Sequence, residues 1–260
     1  MAKIKKLYMQ KCGNIVTPDH FPSAPNTTRE YKKLIVISLY VLEHPEHGVI
    51  LIDTGVELSR IPEEELEIMA CIRPGISKCL PEIGKTADDV KHVLISHFHW
   101  DHCAQNVFFP KATFHIRKNE WEAVNDPATP GYGKFDRDMA KEFAKEVRDL
   151  KLELIPDVPE YDIFGDGSVI SLDTKGHTAG HQSFIVRFES GNEMLLTMDA
   201  THSEDELYDS RHIMNPWSLE LAVRQTEMLK RYREETGRKL WICHDANQWY
   251  DCKKFPEYYE

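Results

Sequence analysis

Three imidazoles and a carboxylate fall within six residues, His97-Phe98-His99-Trp100-Asp101-His102. With thirteen histidines in 260 residues, an HxHxDH pattern should arise by chance about 0.002 times, so the spacing is a signal. The stretch follows an apolar run, Val93 to Ser96, that reads as a short buried strand. At a strand end His97 and His99 share one side, where both rings can meet one cation. The turn that follows carries Asp101 and His102 toward a second point a few Å away. Imidazole suits Zn²⁺ or Fe²⁺, and a carboxylate beside it hardens the second position.

One motif cannot complete two such positions, so further ligands are expected at other strand ends. Gly176-His177-Thr178-Ala179-Gly180-His181 follows an apolar strand, Val169–Leu172, and its small residues allow close backbone approach. Asp199 ends Met194-Leu-Leu-Thr-Met-Asp, and His244 ends Leu240-Trp-Ile-Cys. Each lies where an apolar strand gives way to a loop, a common place for sites on layered sheets. His181 is read as a hydrogen-bonding core residue and left out of the ligand set.

The elements that must position these residues follow from apolar periodicity. Lys3 to Tyr8 alternates and is expected to be a short edge strand. Leu34–Leu42 and Val49–Ile52 are near-continuous apolar runs, hence strands buried on both faces, joined as a hairpin across 44–48. Residues 57–85 read as short helices and loop, and Thr86 with Asp89 starts a helical turn. Ala112–Arg117 is expected as a strand, Lys118–Val124 as a short helix and Pro127–Gly133 as loop. Phe135, Met139, Phe143, Val147 and Leu150 form one stripe, so 134–150 is an amphipathic helix packed on the core. Strands follow at Leu152–Ile155, Val169–Leu172, Gln182–Phe188 and Met194–Thr197. A helix starts at Asn215-Pro216 and stops at Gly237, and Leu240–Cys243 is a last strand. Two apolar strands end in Asp, at 49–53 and 194–199, which hints at a duplicated unit. The expected class is α/β, with two mixed sheets face to face and helices outside. No linker divides the chain, so one domain over 1–260 is expected, with an inserted segment at 57–85 and a helical insertion at 127–150.

Composition narrows the function. The chain is 41% hydrophobic and 29% charged, which excludes a disordered or low-complexity chain. No apolar run is long enough for a membrane span. Lys and Arg total 32 against 43 Asp and Glu, a net charge of −11, with no basic block to grip nucleic acid. Lysines near the N-terminus lack a following apolar segment, so no export signal is read and a cytoplasmic setting is expected. The six cysteines are then expected as reduced thiols.

With these motifs in view, the sequence resembles the metallo-β-lactamase superfamily, a four-layer αβ/βα sandwich. HFHWDH, GHTAGH, MDA and the strand-terminal His244 match its motifs in order and spacing. Within it the chain is more similar to the N-acyl-homoserine lactonases and pyridoxolactonases. That similarity runs from KKLY at 5–8 through GHTAGHQS at 176–183 and LLTMDA at 195–200 to HDANQ and CKKFPEY in the tail. The resemblance implies two divalent transition-metal ions, with Zn expected first and Fe, Co or Mn as alternatives. It implies one ion held by His97, His99 and His177, a second by Asp101, His102 and His244, and Asp199 bridging them. It implies attack on a lactone carbonyl by a metal-bridging hydroxide, with Asp101 carrying the proton to the leaving oxygen and Asp53 orienting a ligand from behind.

Three features sort the alternatives. A bridging Asp199 argues against a true β-lactamase, and His99, where diiron oxygen reductases carry Glu, argues against a redox site. Nucleic-acid-processing members need an extra domain and a basic groove. One departure concerns substrate: the lactonases usually carry Tyr three residues after the bridging Asp, and this chain has His202. An imidazole can donate the same hydrogen bond to the lactone carbonyl, with a charge that depends on pH. Trp100 is read equally as a substrate contact or as core; Met69 and Ile72 are candidates to hold an acyl chain. The expected partner is a small lactone, foremost an N-acyl-homoserine lactone, with no nucleic acid or membrane and with a homodimer left open. A glyoxalase II-like thioester hydrolase, an iron-dependent dioxygenase and a non-catalytic metal-binding module remain as rivals.

Overall fold

Strands that are apolar on both faces must be covered on both faces, and the chain meets that requirement by stacking four layers. The computed structural model describes residues 2–18, 32–61, 63–66, 69–126, 134–210, 213 and 216–260. The first sheet is built from β1 (Lys6–Pro18), β2 (Lys32–His44), β3 (Gly48–Ile52), β4 (Met69–Ala70), β5 (Val90–Leu94), β6 (Thr113–Arg117) and β7 (Lys151–Ile155). The second holds β8 (Glu160–Asp162), β9 (Val169–Asp173), β10 (Gln182–Arg187), β11 (Glu193–Leu196) and β12 (Leu240–Trp241). The C-terminal strand β13 (Tyr258–Tyr259) returns to the first sheet.

Strand order in the first sheet is β13-β1-β2-β3-β5-β6-β7, with β4 also paired to β1; in the second it is β12-β11-β10-β9-β8. Both sheets are mixed. The pairs β3/β5, β5/β6, β6/β7 and β11/β12 are parallel, while β1/β2, β2/β3, β9/β10 and β10/β11 are antiparallel. Tyr40, Leu42, Ile50, Ile52 and Leu94 of the first sheet pack with Phe184, Val186, Met194 and Leu196 of the second, so the sheets face each other. The alternate residues Ile37, Leu39, Val41, Val49 and Leu51 point outward. This two-sided burial is the reason β2 and β3 read as continuous apolar runs.

The helices are α1 (Glu63–Leu66), α2 (Ile76–Cys79), α3 (Trp100–Cys103), α4 (Lys118–Asn125), α5 (Lys134–Arg148), α6 (Glu204–Tyr208), α7 (Leu219–Thr236) and α8 (Ala246–Asp251). Ala140, Phe143, Ala144 and Val147 of α5 cover the outer face of the first sheet. Leu207 of α6 and Leu229 of α7 cover Ile170, Leu172, Ile185 and Leu195 of the second. The expected sandwich of two mixed sheets with helices outside is what forms.

Several expected boundaries move. The strand expected at 3–8 is the thirteen-residue β1, which crosses an irregularity between Lys11 and Gly13. It lies inside the sheet, between β13 and β2, rather than at an edge. The helix expected from Asn215 begins at Leu219, because Ser218 accepts the N–H of Leu221 as its cap. It ends as expected at Gly237, whose φ of 66° suits glycine. Asn215, the loop 127–133 and the side chain of Phe135 lie outside the described residues. The capped turn at Thr86 forms, with Asp89 reaching back to the Thr86 N–H.

Candidate metal centre

The site is assembled from strand ends by a few buried polar groups. The β5 ladder stops at Leu94, two residues earlier than the expected Ser96, because the N–H of Ser96 turns to Asp53 Oδ1 at 2.7 Å. Beyond it the chain runs extended to His99 (φ −70°, ψ 151°) and enters α3, so Asp101 and His102 sit on one helical turn. Asp53 ends β3 in the left-handed region (φ 59°), and Met198, just before Asp199, does the same after β11 (φ 49°). Two apolar strands thus end in the same kind of strained turn, each presenting an aspartate inward.

The loop that carries His177 needs its glycines. A Cβ on Gly176 (φ 152°) would lie 2.6 Å from the N of Ala222, and one on Gly180 would lie 2.0 Å from the N of Glu120. Close backbone approach is therefore a property of this loop, as its small residues suggested.

Among the described residues four groups of side chains converge tightly enough to hold a metal ion, and two of them carry the expected ligands. The donor atoms of His97, His99, His177 and Asp199 lie within 4.8 Å of one another, and so do those of Asp101, His102 and His244. His99 Nδ1 is 2.9 Å from both His97 Nε2 and His177 Nε2. Asp199 spans the two groups. Its Oδ2 lies 3.3 Å from His177 Nε2, and its Oδ1 lies 3.1 Å from His102 Nε2 and 3.1 Å from His244 Nε2. Asp101 Oδ2 sits 3.7 Å from His102 Nε2 and 3.8 Å from His244 Nε2. All seven expected ligands come together.

The outer ring nitrogens show that this donor set fits cations. Ser96 Oγ gives its proton to Asp53 Oδ2, so His97 Nδ1–H must be the donor to Ser96 Oγ at 2.9 Å. His102 Nδ1 faces Asp53 Oδ2 at 2.6 Å, and His244 Nδ1 faces the Val36 carbonyl at 2.7 Å; both partners accept only. Each of these rings therefore carries a proton on its outward Nδ1 and turns Nε2 inward, the atom that would bind an ion in place of a proton. Ring nitrogens and a carboxylate converging in a buried space suit a divalent ion. The orienting role expected of Asp53 is visible in its bonds to both Ser96 and His102.

The electrostatics divide the imidazoles. Burial, reinforced by neighbouring imidazoles, holds His97 and His177 well below the usual histidine range, in the neutral form that ligates. Burial also opposes charge on His102 and His244, but the Asp199 carboxylate outweighs it and raises both well above that range. Asp199, despite its burial, is held well below the carboxylate range by His102 and His244. The carboxylate thus draws positive charge between the rings.

His202 lies beside this centre, its Nε2 3.3 Å from Asp199 Oδ2 and its ring stacked on His244 at 5.4 Å. Burial opposes its charge, yet Glu206 and Asp199 push its pKa up to about 10. Trp100, at the start of α3, is packed into the core of the first sheet's outer face, and Met69 on β4 packs against that core; Ile72 is exposed. His181 accepts the Asp199 N–H at Nε2, which supports its reading as a hydrogen-bonding residue.

The sequence reading missed three buried groups. Glu120 on α4 accepts from the Phe98 N–H (3.2 Å), the Thr178 hydroxyl (2.7 Å) and the Gly180 N–H (2.9 Å), tying the two histidine motifs together. Glu206 holds His202. The Cys243 thiol faces Asp199 Oδ1 at 3.3 Å. A further histidine group, His44, His47 and Asp166, also has its donor atoms within 4.8 Å. There, however, His44 Nδ1 accepts the N–H groups of Glu46 and His47, so Nε2, 3.1 Å from Asp166 Oδ2, carries the ring proton and has no lone pair to offer an ion.

The two-sheet αβ/βα sandwich is shared with known proteins. Residues 34–236 match the metallo-beta-lactamase superfamily, and the chain belongs to it. Among its relatives is the N-acyl homoserine lactonase AttM of Agrobacterium fabrum, 29% identical over 265 residues that cover 98% of each chain. Another is the N-acyl homoserine lactonase AiiA of Bacillus thuringiensis subsp. kurstaki, 28% identical over 271 residues, 98% of this chain and 99% of that one. The solved structure of an N-acyl homoserine lactone hydrolase, with N-hexanoyl-L-homoserine at its catalytic metal centre, superposes with a TM-score of 0.79. It is 25% identical, covering 99% of this chain and 100% of that one.

Proposed function

We propose that this protein is a metal-dependent hydrolase that opens the ring of a small lactone, with N-acyl-homoserine lactones as the leading substrates. The observation that carries the reading is Asp199, whose Oδ1 faces His102 and His244 while its Oδ2 faces His177 and also reaches His244. Full-length similarity to N-acyl homoserine lactonases supports the choice of substrate. In this reading His97, His99, His177 and Asp199 hold one ion, and Asp101, His102, His244 and Asp199 hold the other. Zinc is the first expectation because nitrogen and oxygen donors predominate. Two such ions would supply an acidified water and would polarise the scissile carbonyl.

The remaining chemistry belongs to the chain. Asp101, buried at 8% exposure beside His102 and His244, is placed to carry a proton to the leaving ring oxygen. With Nδ1–H held by Glu206, a doubly protonated His202 would donate from Nε2 to the lactone carbonyl or its amide. Met69 and Ile72 are the proposed contacts for an acyl chain, while the burial of Trp100 favours its core role.

The test is a rate comparison, with and without chelator, on short- and long-chain acyl-homoserine lactones, pyridoxolactone, a simple γ-lactone, a thioester and a β-lactam. Chelator-sensitive lactone opening is expected. His202→Ala should slow it without abolishing it, since one donor contributes only a few kcal/mol, and His202→Phe should cost at least as much. Fast thioester cleavage with every lactone inert would overturn the substrate assignment.

A further inference from the structure

His202 is held from behind by a group that the hydrolase reading does not use. Glu206 is 1% exposed, and its Oε2 accepts both the backbone N–H of His202 at 2.7 Å and the ring Nδ1–H at 2.9 Å. A carboxylate only accepts, so the ring proton at Nδ1 is fixed and Nε2 must face the centre. The carrier of Glu206 is itself anchored. Ser203 caps α6 and receives the Glu206 N–H at 3.4 Å, and the Glu204 N–H donates to Asp245 Oδ2 at 2.9 Å, one residue from His244. Arg233 of α7 grips both oxygens of Glu204 at 2.9 Å. Helix α6 is thereby pinned to the loop that supplies His244.

His202 is nevertheless outside both donor groups. Among the described residues, the sets of converging ligand atoms contain His177, Asp199 and His244 but not His202. Its ring lies edge-on to His177 at 5.0 Å and flat on His244 at 5.4 Å, forming a wall beside the bridging carboxylate. A ring clamped at Nδ1 keeps Nε2 turned toward Asp199 Oδ2 at 3.3 Å, beside both donor sets.

We propose that Glu206 is the positioning residue of a His202–Glu206 dyad: it fixes the imidazole with Nε2 turned to the substrate side of Asp199. The kinetic part of this inference rests on the hydrolase reading; the structural part does not. The clamp lowers the cost of orienting His202 when substrate arrives, which is how preorganised groups contribute to rate.

Zinc-loaded protein labelled with ¹⁵N at histidine tests the structural part by NMR, with His202→Phe identifying the signal. His202 should show its proton at Nδ1 in the wild type and in Glu206→Gln, whose amide oxygen still accepts. In Glu206→Ala that fixed signal should be lost, while the bound metal per chain stays at the wild-type value. In kinetics, Glu206→Ala should lower kcat about 10–100-fold with KM little changed. The same substitution in a His202→Ala background should cost less than about twofold, because the two residues act as one unit. Additive losses, metal loss in Glu206→Ala, or an unchanged His202 signal would each overturn the proposal. Should every lactone prove inert, the substrate reading falls while the NMR and metal measurements still decide the dyad.

Discussion

Replacing Glu120 is the most direct probe of how the two histidine motifs are held in register. Its carboxylate, fully buried on α4, receives the N–H of Phe98 inside HFHWDH and the Thr178 hydroxyl and Gly180 N–H inside GHTAGH. In Glu120→Ala these three donors lose a charged acceptor in a place that water enters poorly. Each buried donor left unmade costs about 1–3 kcal/mol, and partial rehydration of the gap puts the total near 4 kcal/mol. For a chain of this size that corresponds to a midpoint lower by about 8–16 °C. His97 and His177 then lose their common frame, and metal affinity should fall about 10–100-fold, as when partners behind ligands are removed.

Glu120→Gln separates charge from shape. Its amide oxygen can take the Thr178 and Gly180 donors, but its NH₂ group then meets the Phe98 N–H, donor against donor. About half the loss is expected. Thermal melts of metal-saturated protein and competition against a chromophoric chelator read both quantities. An alanine variant with unchanged midpoint and unchanged metal affinity would refute the idea that Glu120 couples the motifs.

Asp199→Asn should leave about one metal per chain by elemental analysis and cut turnover by orders of magnitude, and Asp101→Ala should cost at least as much rate; near-normal activity in either refutes the two-ion assignment. Gly180→Ala should lose metal from the His97 group, since the added Cβ would sit 2.0 Å from backbone that cannot yield; full metal content would show that the loop can shift. The protein should lose stability in mild acid through His92 and His115, whose rings meet at 2.9 Å. Burial lowers both pKa values to about 4 from the ordinary histidine value of about 6.5. Between pH 6.5 and 4 the unfolded chain takes up protons that the folded chain refuses, so this stability is complete above 6.5 and lost as pH falls. Because the rings share one bond the pair counts about once, about 3 kcal/mol at most; His115→Gln should flatten the fall in melting midpoint from pH 7 to 5.

The layered fold was legible because its strongest elements repeat a single physical demand. Leu34–Leu42 and Val49–Ile52 are apolar on both faces, and the stripe from Met139 to Val147 is apolar on one, which is the pattern of buried strands under a covering helix. The parts that escaped are those where polar residues are buried or where pairing partners are remote. β1 was cut short at Tyr8 because Gln10, Lys11 and Asn14 interrupt the alternation, although Gln10 and Asn14 are buried at 5% and 4% exposure. The two-residue β4 and β13 exist through their pairing with β1, and no local periodicity announces them.

The same division runs through the site. Histidines and aspartates at the ends of apolar strands advertise themselves, because their types are uncommon there and their positions follow from the strands. The carboxylates that aim them do not. Glu120 looks like any glutamate on a short charged helix, and its partners Phe98 and Gly180 are 22 and 60 residues away. Glu206 did leave a trace: Ser203-x-x-Glu206 has the spacing of a helix-capping box, and the reach of its carboxylate to the residue before the cap is what captures His202. A capping pattern that directly follows a strand-end ligand such as Asp199 is therefore worth reading as part of the site, because the helix it starts can only begin where the ligand loop has already brought the chain.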